Sequence, residues 1–355
     1  MRIGLCPSER GAWGHLERSE QGPHIKMTSE ITGIGSALPR QIITNAELSP
    51  QIGLNETEIT KKTGIVTRHW VSEGETTATL AIEAAKSALK AAQLPPDEID
   101  LIIVSTSSPD MIFPSVACLI QKGLAVGMRT HPIGAFDINA SCSGFLYALS
   151  MGEQYIKNGR AKNALIIASE VKSVYLDKRD PQTACLFGDG AGAVILSIAK
   201  ASRGIKSIHI AAGGMEKQLV FLPAGGSRLS LSQDTLRQNL HTMKMEGTRL
   251  FRLAVKKMDE AVSGLLKENA ISLKEIDLFV FHQANLRILE AVVKKQGIPK
   301  AKHHTTIWKY GNTSSASLPI ALDDAVACGR IKPRDKIALF AFGGGFTYGS
   351  ALIVW

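Results

Sequence analysis

Three residues stand in settings that could do chemistry together. Cys142 lies in the run Asn139-Ala-Ser-Cys-Ser-Gly-Phe145, whose small side chains leave room for a carbonyl to approach. The pattern after it predicts a helix from Phe145 to Lys157. A thiol at a helix N-terminus feels the positive end of the macrodipole, which lowers its pKa and favours thiolate. Cys118, Cys185 and Cys328 sit inside apolar patterns instead and read as structural, the usual fate of a free cysteine. His282 stands in Phe281-His-Gln-Ala-Asn-Leu-Arg287, where a strand pattern meets a loop. Such junctions often carry catalysis, although a lone histidine there is more often a satisfied, half-buried one. Asn312 stands in Tyr310-Gly-Asn-Thr-Ser-Ser-Ala-Ser317. An asparagine at a helix entry caps the helix and can still aim its amide into a pocket. The tract Gly343-Gly-Gly-Phe346 suits a tight turn whose N–H groups point at an oxyanion.

The elements that must position these residues come in two matched sets. Leu80 to Val104 reads as a helix, a turn, Glu-Ile-Asp-Leu and a strand, and so does Leu253 to Phe281. Cys142 precedes Gly159-Arg160 by 17 residues, and Asn312 precedes Gly329-Arg330 by 17. Each set closes on a glycine-rich turn and a last strand, GDGAGAVILS and GGGFTYGSALIVW. The chain therefore reads as a duplicated α/β unit, 27–199 with the cysteine and 200–355 with the histidine and asparagine. Equivalent points of two such halves meet about a pseudo-twofold axis, so Cys142, His282 and Asn312 are expected in one pocket. Buried strands are expected at Leu101–Val104, Ala164–Ala168 and Gly192–Ser197, and a helix at Thr77–Ala92.

Composition sets the wider bounds. The 355 residues carry 41 basic and 32 acidic side chains, a formal charge of +9, with 45% hydrophobic residues. That balance suits a packed protein and excludes a largely disordered one. Five scattered cysteines with no C-x-x-C pair argue against a disulfide framework or zinc ribbon and for a reducing, cytoplasmic setting. No apolar run approaches the ~18 residues of a membrane span. The His303-His304 pair has no partner cluster at metal spacing, so no metal is expected. Few tryptophans and no nucleic-acid motif exclude nucleic acid as a partner. Residues 1–26 lack periodicity and a signal-peptide core, and read as a disordered leader or an early start ahead of Met27.

Cys142 in its small-residue setting, HQANLR, YGNTSSAS and FGGGFTYGSA together resemble the β-ketoacyl-acyl-carrier-protein synthase III family. GIGSALP near Gly33, KTGIVTRH near Thr63 and FGDGAGA near Phe187 match as well. The resemblance implies a thiolase fold, two α/β repeats in five αβαβα layers, in a homodimer without cofactor. It implies a decarboxylating condensation of an acyl primer, from acyl-CoA, with malonyl-acyl-carrier protein. By the same resemblance Cys142 carries the acyl group, and His282 with Asn312 stabilises the enolate. The N–H groups of Cys142 and Gly344 form the oxyanion hole. Phe342 lies beside the nucleophile, and Phe113 crosses to the partner's acyl pocket. Arg249, Arg252 and Lys256 share a helix face by spacing. With Lys257, Asn285 and Arg287 they form the expected basic landing site for an acidic carrier protein or CoA; the bland reading is a solvated basic face.

Two departures bear on the primer. Many members place a tryptophan at the position of Glu58 and an arginine at that of Pro181, gripping the adenine of CoA. Thr248 also stands where members have asparagine. Arg179 and Trp70 are the residues that could rebuild such a grip. Alternatives to bulk fatty acid initiation are a homologue priming a polyketide, quinolone or biotin-precursor pathway, an acyltransferase without condensation, and, disfavoured by the intact triad, a scaffold.

Overall fold

The computed structural model describes residues 28–127, 132–199, 202–214 and 218–355; the leader 1–26 lies outside the described residues. Two five-stranded sheets organise the chain, and they share one strand order. In the first, Ser29–Ala37 is an edge strand beside Gly190–Ile198, followed by Asn163–Glu170, Leu101–Ser105 and Gly134–Ile138. In the second, Gly204–Ala212 pairs with Thr347–Val354, followed by Lys336–Gly343, Leu278–Phe281 and the short His303–His304. In both, the first two pairings are antiparallel and the last two parallel.

Parallel strands need helices on both faces, and the sequence supplies them as five layers. Thr77–Ala92 and Val116–Leu124 cover the outside of the first sheet. Gly247–Glu268 and Leu286–Gln296 cover the outside of the second. Gly144–Lys157 and Ser317–Ala327 fill the layer between the sheets. The outer helix Gly247–Glu268 buries Ala254, Met258, Val262 and Leu265, one stripe at helical spacing. The central helix Ser317–Ala327 buries residues almost all round, as a helix enclosed on every side must. This is the thiolase fold. The expected strands and helices stand where the periodicity placed them, within two residues at each end.

Helix Thr77–Ala92 lies unusually close to the strand Ser29–Ala37. A Cβ on Gly35 would stand 2.6 Å from the Ala88 amide nitrogen and 2.8 Å from the Ala84 carbonyl oxygen. Backbone cannot move aside as a flexible side chain can. Gly35→Ala is therefore expected to lower unfolding stability by about 1–3 kcal/mol, the range for overpacking a tight core. Chemical denaturation measures it, and an unchanged midpoint contradicts the close approach.

Candidate active site

The site forms where the two central helices begin. Cys142 lies in the 3-10 turn Ser141–Ser143 that feeds Gly144–Lys157. Asn312 lies two residues before the turn Ser314–Ala316 that feeds Ser317–Ala327. His282 follows the end of strand Leu278–Phe281. All three line one cavity, with Phe342, Gly343 and Gly344. Its remaining wall is mostly apolar, including Leu186, Met245, Phe251 and Ile288.

Each side chain is held by its neighbours. Asn312 is fixed through its backbone, whose N–H donates to Leu186 at 2.9 Å and whose carbonyl accepts from Gly188 at 3.0 Å. Its Oδ1 accepts the Ser314 N–H at 2.9 Å, which leaves the amide N–H₂ to the cavity. His282 is buried, with Nδ1 2.6 Å from Ser317 Oγ. Ser317 Oγ already accepts the Gln283 N–H, so its own proton is available to Nδ1. That arrangement favours the tautomer with hydrogen on Nε2. Burial pushes the His282 pKa down to about 3, so the ring is neutral at physiological pH. Phe342 packs edge-on against it, ring centres 5.3 Å apart.

The thiol departs from the sequence-based expectation. The helix entry is present, but burial pushes the Cys142 pKa up. The hydrogen bond shared with Ser314 and the Lys172 ammonium pull it back. Desolvation outweighs the helix terminus, so the resting Cys142 sulfur is thiol rather than thiolate. Gly343 abuts this turn. A Cβ there would stand 2.6 Å from the Cys142 nitrogen. The Gly344 N–H is not open to the cavity; it donates to Ser141 Oγ at 3.1 Å.

The remaining expected residues do not all converge. Arg249, Arg252 and Lys256 lie exposed on helix Gly247–Glu268, whose Leu250 and Phe251 line the cavity. Lys257 turns away to Glu260, at 2.8 Å, and to the Tyr348 ring. Asn285 lines the cavity but is committed as the N-cap of the next helix, accepting the Arg287 N–H, while the Arg287 side chain is exposed. Phe113 does not line this chain's cavity. It is 82% exposed on a loop tip beside Ile112 and Met111. Glu58 folds back to accept the Asn55 N–H at 3.0 Å, as a helix-capping residue. Trp70 cannot rebuild an adenine stack: it is buried, donates to the Phe187 carbonyl at 2.9 Å, and has Lys178 over its ring. Arg179 pairs with Asp177. Pro181 sits in a turn, its carbonyl accepting the Cys185 thiol, and Thr248 is exposed in the first turn of its helix. Sequence reasoning missed Ser314 and Ser317, which lie in a run of small residues that reads only as tight packing.

Comparison with known proteins decides the family. The chain is 41% identical over 330 residues to β-ketoacyl-[acyl-carrier-protein] synthase III of Caldanaerobacter subterraneus, covering 93% of this chain and 98% of that protein. It is 43% identical to the synthase III of Xanthomonas campestris, covering 92% and 98%. The chain belongs to the β-ketoacyl-[acyl-carrier-protein] synthase III family. Family models described as 3-oxoacyl-[acyl-carrier-protein] synthase III match residues 136–214, and its C-terminal part residues 266–355. The crystal structure of the synthase III from Aquifex aeolicus superposes with a TM-score of 0.84 at 39% identity, covering 92% of this chain and all of that one. Membership makes this chain a condensing acyltransferase. Among the described residues no helix is long and apolar enough to cross a membrane, and no three His, Cys, Asp or Glu gather as a metal site.

A neutral His282 has a consequence for pH. Its pKa is lowered, so the ring stays neutral as pH falls through 6.5 and takes up a proton only near 3. Decarboxylation of malonyl-pantetheine, followed as released CO₂, should change by less than about twofold between pH 7 and pH 5. A limb centred near 6.5 contradicts a neutral ring.

Proposed function

We propose that this protein joins an acyl primer to malonyl-acyl-carrier protein, releasing CO₂ and giving 3-oxoacyl-acyl-carrier protein, the step that initiates fatty acid synthesis. The observation that carries the reading is one cavity holding a thiol and two neutral hydrogen-bond donors from opposite halves of the fold. Cys142, as thiolate, attacks the primer thioester; the carrier thiolate leaves and the acyl group stays on sulfur. Malonyl-acyl-carrier protein then enters. His282 and Asn312 donate to its thioester oxygen, where negative charge grows as the C–C bond to CO₂ breaks. The enolate carbon attacks the acyl-Cys142 carbonyl and expels the thiolate.

Physical chemistry suits each residue to its step. A thiolate attacks thioesters without a strong base. Neutral donors stabilise an enolate oxygen where a carboxylate would repel it. The acyl oxygen receives the Cys142 N–H and, once Ser141 yields it, the Gly344 N–H. No step calls for a cofactor. Arg249, Arg252, Lys256 and Arg287 stand exposed around the cavity wall and would steer an acidic carrier protein. The exposed apolar tip at Phe113 fits a homodimer in which it reaches the partner's acyl pocket. The halves meet near 199–200, and the reaction belongs in the cytoplasm.

The adenine position favours a primer held weakly by its nucleotide, because Glu58, Pro181 and the buried Trp70 offer no aromatic stack. Such a homologue could prime a dedicated pathway.

Two experiments test these readings. Cys142→Ala should abolish acyl-enzyme formation by intact mass, whereas His282→Ala and Asn312→Ala should acylate yet lose decarboxylation by roughly 10²–10³. A variant of His282 or Asn312 that loses acylation yet decarboxylates normally reverses the roles. Acyl-pantetheine should acylate Cys142 within about tenfold of acyl-CoA, since a lost stack contributes only ~0.5–1.5 kcal/mol. A hundredfold preference for CoA shows the adenine is still gripped.

A further inference from the structure

The Cys142 thiol stands at the end of a buried polar chain that the condensation scheme does not use. Its Sγ lies 3.3 Å from Ser314 Oγ. Ser314 Oγ donates in turn to Glu170 Oε1 at 3.2 Å. Glu170 ends the strand Asn163–Glu170 and is fully buried. Three more hydroxyls donate to it, from Ser315 at 2.7 Å, Ser108 at 2.6 Å and Ser107 at 3.2 Å. Behind it, Lys172 Nζ lies 3.0 Å from Oε2 and 2.6 Å from Ser107 Oγ, with only 9% of its side chain exposed.

A buried ion pair is poor stabilisation, because desolvation cancels most of the attraction. Its position against the nucleophile suggests another use. Glu170 is ionised, its pKa held down by Lys172 and the hydroxyls despite burial. A carboxylate only accepts, so the Ser314 proton points to Glu170 and the Ser314 lone pair faces the thiol. The S–H then donates to Ser314. When the thiolate forms, Ser314 must turn its proton to sulfur and release Glu170. The Glu170 charge opposes the thiolate, and the Lys172 charge opposes that effect. Among the described residues, Lys172 and Glu170 are the charges that act most on the thiol. The His282 loop presents a neutral imidazole. Asp189 is turned to Ser173 and Val71. The turns at Asn312 and Gly343 bring no titratable side chain.

We propose that the Glu170–Lys172 pair, acting through Ser314, sets the ionisation of Cys142. Lys172 is the positioning residue that keeps the thiolate accessible near neutral pH. This rests on Cys142 being the nucleophile.

The test is the pH profile of iodoacetamide alkylation at Cys142 in the full chain, read by peptide mass because Cys118 and Cys328 are exposed and would react as well. Lys172→Met should raise the alkylation pKa by about one unit, the low end for loss of a nearby opposite charge, which is tenfold slower reaction at pH 7. Glu170→Gln, which keeps the shape and removes the charge, should lower it by a similar amount. The double variant should fall between. Unmoved profiles in Glu170→Gln and Lys172→Met overturn the proposal. If Lys172→Met fails to fold, Glu170→Gln decides alone. Separately, wild-type Cys142 that resists alkylation at every pH, or is never acylated, overturns the nucleophile reading and this proposal with it. Normal acylation with unmoved profiles overturns this proposal only.

Discussion

Everything at the site depends on one contact without side chains. The last residue of a strand in the second sheet, Gly343, lies against the backbone of the Cys142 turn in the first half. Any side chain at Gly343 would push the turn away, and with it the entry of helix Gly144–Lys157. That contact forms part of the cavity wall, beside the place where Phe342 packs edge-on against His282.

Burial at the cavity has two effects that pull against each other. Apolar surroundings keep His282 neutral. The same surroundings make a thiolate costly at Cys142. The fold keeps the cavity wall mostly apolar and places polar groups locally around the sulfur. Cys142 and His282 are thus tuned by different means although they share one cavity.

Much of this was legible in the chain itself. The two matched series of helix, turn and strand correspond to two sheets of identical order. The small-residue settings of Cys142 and Asn312 mark the two places where central helices begin. What stayed hidden depends on side chains that meet only after folding. Glu170 closes an apolar strand run and Lys172 follows it closely, so neither stands out from the pattern. Trp70 looked available because sequence does not show that the Phe187 carbonyl and Lys178 already claim it. The direction of the Cys142 shift was misjudged for the same reason. A helix entry can be read from spacing, whereas the extent of desolvation cannot.

Glu58 shows how a binding feature and a folding feature can compete for one position. Its carboxylate completes a reciprocal cap with Asn55 on helix Glu56–Thr63. That helix is only eight residues long, so its start matters to its existence. An engineer who installs tryptophan there to restore a nucleotide stack removes one arm of the cap. The helix that should present the new ring would then fray at its first turn. A stronger grip on the primer therefore requires redesigning Asn55 and the loop before it, not position 58 alone.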